Sequence, residues 1–211
     1  MKNNSIFVII IVVLAVVVVG LIIYSSNKNK TAVSALDLHG HPIANSASVS
    51  AAPFNPDNLV SGLAPDSVLT DKNGKTYSLD ELRGKNIILF FNEGLMCYPA
   101  CWNQIAALAQ DERFKNSETA VLSVVVDPRK DWQKAIDQMP ELAEATMAFD
   151  EGGAVSKKFG VLTTQSSMHY GSLPGHTYVL IDKEGIIRHI FDDPNMAIHN
   201  DQLATELAKL N

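Results

Sequence analysis

Two cysteines are all the chain contains, Cys97 and Cys101. They stand in Phe90-Phe91-Asn92-Glu93-Gly94-Leu95-Met96-Cys97-Tyr98-Pro99-Ala100-Cys101-Trp102. A lone close pair suits a reversible redox couple or a soft-metal site better than a structural staple. The plain alternative is two inert buried thiols. The thiolate is the reactive form of cysteine, and the unpaired N–H groups and dipole at a helix start favour an anion there. Residues four apart on a helix share a face, which sets the two Cα atoms about 6 Å apart, within disulfide reach. Cys97 lies nearer the helix start and takes the nucleophile's role. Cys101 is the thiol that resolves the intermediate. Glu93, four residues ahead, is a candidate proton donor or acceptor. His176 is a candidate hydrogen-bond partner for the thiolate, because imidazolium lowers a thiol pKa. His169 is a candidate at the same mouth, and Pro174 a candidate cis peptide bordering a substrate groove.

Those residues need elements to hold them. Asn86 to Phe91 is an unbroken apolar run and reads as a buried strand; the pattern then predicts a helix from Cys97 to about Gln110. The cysteines therefore fall at the C-terminal end of a core strand, where open α/β sheets place their sites. Upstream, Val68-Leu69-Thr70 and Lys75-Thr76-Tyr77 flank Asn73-Gly74 and predict a hairpin. Ser78 to Gly84 has the signals of one helical turn. Downstream, strands are expected over Ala120–Val126, Met147–Asp150, His176–Asp182 and Ile186–Phe191. Helices are expected over Asp131–Met139, Gly153–Phe159 and Asp201–Leu210. The order implies an α/β fold with a mixed central sheet covered by helices on both faces.

The N-terminal region differs in character. Ile6 to Ile23 is 18 residues without a charged or polar side chain, close to the roughly 20 that cross a bilayer as a helix. It exceeds a usual signal-peptide core and lacks an Ala-x-Ala site after it. The expectation is an arm over 1–5, a transmembrane signal anchor over 6–23, a flexible tether over 24–60 and one folded domain over 61–211. The tether would span roughly 30–35 Å as a coil. Its His39-Gly40-His41 reads as two solvated histidines. Lysines flank the anchor on both sides, so charge leaves its direction nearly balanced. The short N-terminal arm favours a single-pass protein with its domain outside the cell membrane. Lys and Arg number 17 against 23 Asp and Glu, a net charge of −6, with no basic stripe. Nucleic acid is therefore not an expected partner.

From about Gly62 onward the chain resembles the thioredoxin-fold redoxins, in particular the peroxiredoxin-like AhpC/TSA and TlpA-like group. The resemblance rests on Gly62-Leu63-Ala64-Pro65-Asp66 with Leu69-Thr70-Asp71, Gly74-Lys75 to Leu82-Arg83-Gly84-Lys85, the strand ending toward Cys97, Val126-Asp127-Pro128, and Tyr178-Val179-Leu180-Ile181-Asp182 with Gly185. It implies a thioredoxin-like fold with an N-terminal β-hairpin extension. It also implies a thiol–disulfide oxidoreductase that cycles Cys97 and Cys101, needs no cofactor, takes peroxides or protein disulfides as substrate and is reduced by a thiol protein or small thiol. The peroxiredoxin pattern Pro-x-x-x-Thr-x-x-Cys carries Phe90 and Gly94 at its Pro and Thr positions here, and His176 stands where the family has an Arg. The chain is also similar to Sco-type copper chaperones, which share the fold, an N-terminal anchor and Cys-x-x-x-Cys. That likeness implies a copper site of Cys97, Cys101 and His176, a soft ligand set.

Overall fold

In the computed structural model the described residues are 58–210. The expected anchor, most of the tether, and His39 and His41 lie outside them. Among the described residues no helix is long and apolar enough to cross a membrane. Leu59 and Val60, assigned to the tether by composition, pack against the core.

The strands are β1 (Val68–Asp71), β2 (Thr76–Ser78), β3 (Asn86–Phe91), β4 (Thr119–Val125), β5 (Met147–Phe149), β6 (Thr177–Ile181) and β7 (Ile187–Asp192). The helices are α1 (Ala100–Gln110), α2 (Trp132–Gln138), α3 (Ala154–Lys158) and α4 (Asn200–Ala208). One sheet takes the order β2-β1-β5-β4-β3-β6-β7. β3, β4 and β5 run parallel, while β6, β7 and the β1–β2 hairpin are antiparallel to their neighbours. This is the mixed sheet of a thioredoxin-like fold, with the hairpin as one edge.

Strand alternation divides the interior in two. On β3, Ile88 and Phe90 face one core, and Ile87, Leu89 and Phe91 face the other. Side chains on a strand alternate faces, so a strand apolar on both faces must be covered on both sides. The first core holds Trp102, Ile105 and Leu108 of α1, Trp132 and Ala135 of α2, and Leu203 and Leu207 of α4. The second holds Leu69, Leu79, Val155 of α3 and Phe159.

The largest departure from expectation lies at α1. The helix begins at Ala100, not Cys97, and a 3-10 turn over Gly94–Met96 precedes it. The Pro99 ring disfavours the helical region for Tyr98 before it, and the helix starts after Pro99, which is its N-cap. The cis peptide among the described residues is Tyr98–Pro99, not Leu173–Pro174. The 78–84 segment is a turn closed by Leu82 N–H donating to Ser78 O. The remaining elements match the expected ones to within one or two residues at each end.

Candidate active site

β3 delivers the chain to the site, and four side chains shape the turn that follows. Asn92 is fully buried; its Nδ2 donates to Phe90 O at 3.2 Å, and its Oδ1 accepts from Gly94 N–H at 2.9 Å. Trp102 Nε1–H donates to Gly94 O at 3.0 Å. Asp127, just beyond β4, accepts from Leu95 N–H at 3.1 Å. Burial pushes the Asp127 carboxyl above the usual carboxylate range. Gly94 has a φ of +55°, and a Cβ there would stand 1.7 Å from Asp127 Oδ2. Only glycine fits the position. The fourth side chain is Glu93, treated below.

Cys97 closes the 3-10 turn, and Cys101 is the second residue of α1. They form a disulfide with Cα atoms 5.3 Å apart. Cys97 O accepts from Cys101 N–H at 2.9 Å, so the link from turn to helix is itself hydrogen-bonded. Both cysteines are buried, but their neighbours Met96 and Tyr98 are exposed. The pair therefore sits just under a turn that solvent reaches.

His176 lies immediately before β6 and is fully buried. Its Nδ1 is 3.6 Å from Cys101 Sγ, and its Nε2 is 2.8 Å from the Tyr178 hydroxyl. Loss of water lowers the His176 pKa to about 4; Asp193 nearby opposes this without reversing it. The ring is thus neutral near pH 7. Burial also holds the Tyr178 phenol protonated far above neutral pH. With Tyr178 O–H donating to Nε2, the ring proton sits on Nδ1 and faces Cys101; with Nε2–H donating to Tyr178, Nδ1 is free to accept a proton from a reduced Cys101. Tyr178 is fixed by stacking on Phe90 and Phe191, with centroids at 4.7 and 5.6 Å.

The candidates named from sequence divide into two groups. Cys97, Cys101 and His176 converge, with their ligand atoms all within 4.8 Å of one another. The imidazole faces Cys101 rather than Cys97. Glu93 is directed elsewhere. It is 1% exposed, and its Oε1 accepts from Met168 N–H at 2.6 Å and His169 N–H at 2.9 Å. Ser167 Oγ donates to it at 3.3 Å, and His169 Nδ1 is 3.0 Å from Oε2. This carboxylate clamps a remote loop to the cysteine turn, and His169 belongs to the clamp rather than to the sulfur atoms.

Sequence reasoning passed over Tyr178, Asp127, Asn92 and Met196. Tyr178 carried a signal: it is two residues after His176, and a strand puts such residues on one face. Met196 carried none. Its Sδ lies 3.7 Å from Cys97 Sγ, delivered by a loop whose Asp193 accepts from Asn195 N–H, Ala197 N–H and the His199 ring.

With this geometry in view, comparison with known proteins is informative. Residues 60–190 match the AhpC/TSA family, a span that contains both cysteines and His176. A chloroplastic peroxiredoxin Q of Triticum aestivum is 31% identical over 135 residues, covering 61% of this chain and 57% of the relative. The match thus spans little more than half the length of that relative. Peroxiredoxin Bcp of Escherichia coli (strain K12) is 29% identical over 147 residues, covering 66% of this chain and 88% of the relative. Among solved structures, peroxidoxin BcpB from Mycobacterium tuberculosis aligns with a TM-score of 0.58 at 20% identity, covering 72% of this chain and 97% of that one. A peroxiredoxin-like protein from Aquifex aeolicus aligns with a TM-score of 0.60 at 18% identity, covering 72% and 87%. At such identities the structural likeness concerns the fold.

Proposed function

Because this chain belongs to the AhpC/TSA family, we propose that it is a thiol oxidoreductase that reduces hydroperoxides or protein disulfides through Cys97 and Cys101. The observation that carries this is the buried disulfide between them, with a neutral imidazole against one sulfur. In the reduced chain the Cys97 thiolate attacks the distal oxygen of a hydroperoxide. The O–O bond breaks, the leaving alkoxide takes a proton, and Cys97 becomes a sulfenic acid. Cys101 gives its proton to His176 Nδ1 and attacks the Cys97 sulfur. Water leaves, carrying that proton, and the disulfide forms. A dithiol reductant of the thiol-protein or small-thiol class then restores both cysteines. On a protein disulfide, Cys97 forms a mixed disulfide that Cys101 resolves in the same way.

The test is hydroperoxide consumption with dithiothreitol as reductant. Cys97→Ser is expected to lose at least about a hundred-fold in rate, as removal of a covalent nucleophile does. Cys101→Ser, treated with peroxide in the absence of dithiothreitol, is expected to accumulate a Cys97 sulfenate, seen by mass as one added oxygen. Full activity in Cys97→Ser would show the nucleophile to be misassigned.

The proposal extends to location. Ile6 to Ile23 anchors the chain in a membrane with the redox domain on the extracytoplasmic side; support comes from the length and uniform apolarity of that run. Recovery of the full chain in the aqueous fraction after alkaline washing of membranes would remove the anchor.

A second reading has one observation in its favour. Two sulfur atoms and one imidazole nitrogen within 4.8 Å form a soft donor set, suited in the reduced chain to Cu(I) as cargo. Copper binding that survives both Cys101→Ser and His176→Ala unchanged would dispose of it.

A further inference from the structure

The sheet contains a gap beside β4. β4 has seven residues, but β5 pairs with the last three, Ser123, Val124 and Val125. The bonding pattern identifies the backbone groups left over. On the β3 side, Glu118 O accepts from Asn86 N–H and Val124 O from Asn92 N–H. On the β5 side, Ser123 N–H donates to Thr146 O, and Val125 O accepts from Asp150 N–H. Bonding direction alternates along a strand. The N–H and C=O groups of Thr119 and Val121 therefore point to the β5 side, below the start of β5. No strand among the described residues meets them there.

The space they face is a cavity of about 660 Å³. Tyr77 and Leu82 wall it on one sheet face, and Ile105 and Phe114 on the other. Lys75, Lys85 and Lys115 also line it, against Glu144 as the one lining acid. Lys115 is ion-paired with Glu112 at 3.0 Å, so Lys75 and Lys85 carry the positive charge here, in a chain of net charge −6.

We infer that this gap receives an extended, acidic segment of a partner protein as an added strand. An open strand edge is a template for such pairing. The apolar walls take alternate side chains of the segment, and the lysines take its carboxylates. Four open residues, Thr119 to Leu122, set a length of about 13 Å. The gap lies at the N-terminal ends of β3 and β4, whereas the disulfide follows the C-terminal end of β3. The two are about 20 Å apart along a six-residue strand. A partner held in the gap leaves the cysteines open, and the inference does not rest on the redox reading.

The probe is a fluorescein-labelled heptapeptide, Thr-Glu-Val-Glu-Val-Glu-Thr, titrated onto the full chain. Saturable binding is expected, with slowed amide exchange at Val121. Lys75→Glu combined with Lys85→Glu is expected to weaken it about ten-fold. N-methylating alternate peptide amides should weaken binding by about ten-fold in one parity and leave the other unaffected, because one parity faces the strand. No binding at millimolar peptide, equal binding of a Lys-for-Glu peptide, or equal effects of both N-methyl parities would overturn the inference. So would a Val121 amide already protected in the free chain, because the gap would then be filled from within. The readout is binding, so its failure is separate from failure of the peroxide assay.

Discussion

Gly94 has no side chain, yet three other side chains converge on it. Asn92 holds its N–H, Trp102 holds its C=O, and Asp127 occupies the place of a Cβ. Gly94→Ala combines a left-handed φ with a direct clash, so a loss of about 3 kcal/mol in unfolding free energy is expected by urea titration. Wild-type stability in that variant would show that the turn yields easily. His176 makes a prediction of a different kind. In the unfolded chain its ring takes a proton near pH 6.5; in the folded chain it does not until about pH 4. Between those values the unfolded state holds more protons. The stability linked to this ring is therefore complete above about 6.5 and is lost as pH falls toward 4, by about 3 kcal/mol in all. Urea midpoints of wild type and His176→Gln, followed from pH 7 to pH 4, test this. Equal pH slopes in the two chains would sink it.

At the scale of elements, the cysteine turn is positioned from two directions. β3 brings it from behind, and the Glu93 carboxylate ties it to the 167–169 loop. Removing that carboxylate leaves the Met168 and His169 amides without their acceptor, while Ser167 Oγ keeps Leu173 O at 2.9 Å. Glu93→Ala is expected to cost about 2–4 kcal/mol and to raise amide exchange at Met168 and His169 above that of β3. Unchanged exchange at both amides would show that the loop stands without the clamp. Much of this level was legible in the sequence. Asn86–Phe91, apolar at every position after Asn86, reads as a strand buried on both faces, and it is one. Glu93 was not legible, because a carboxylate four residues from a cysteine suggests chemistry until the distant amides it binds are known. The start of α1 departs from the pattern for a local reason: apolar spacing continues through Cys97, but the Pro99 ring disfavours the helical region for Tyr98, and the helix starts after Pro99. Met196 left no trace in the pattern, because its approach to Cys97 depends on the path of a loop about 100 residues later.

Across the whole domain, one sheet keeps two features apart. The C-terminal ends of β3 and β4 carry the cysteine turn and Asp127, and the N-terminal ends carry the open edge lined by lysines. The alternation of β3 also separates two interiors, and both tryptophans of the chain belong to the same one. Trp102 follows Cys101 directly in sequence, and Trp132 lies 6.4 Å from it, centroid to centroid. A disulfide is an efficient quencher of indole emission, and a dithiol is a poorer one. The domain thus carries a built-in optical gauge of its own oxidation state. Adding reductant to the unlabelled chain is expected to brighten its emission severalfold, and adding peroxide to dim it again. Trp102→Phe is expected to abolish most of that change, while Trp132→Phe leaves most of it. Each turn of the cycle is then visible in real time without a dye, a coupled enzyme or a modified cysteine.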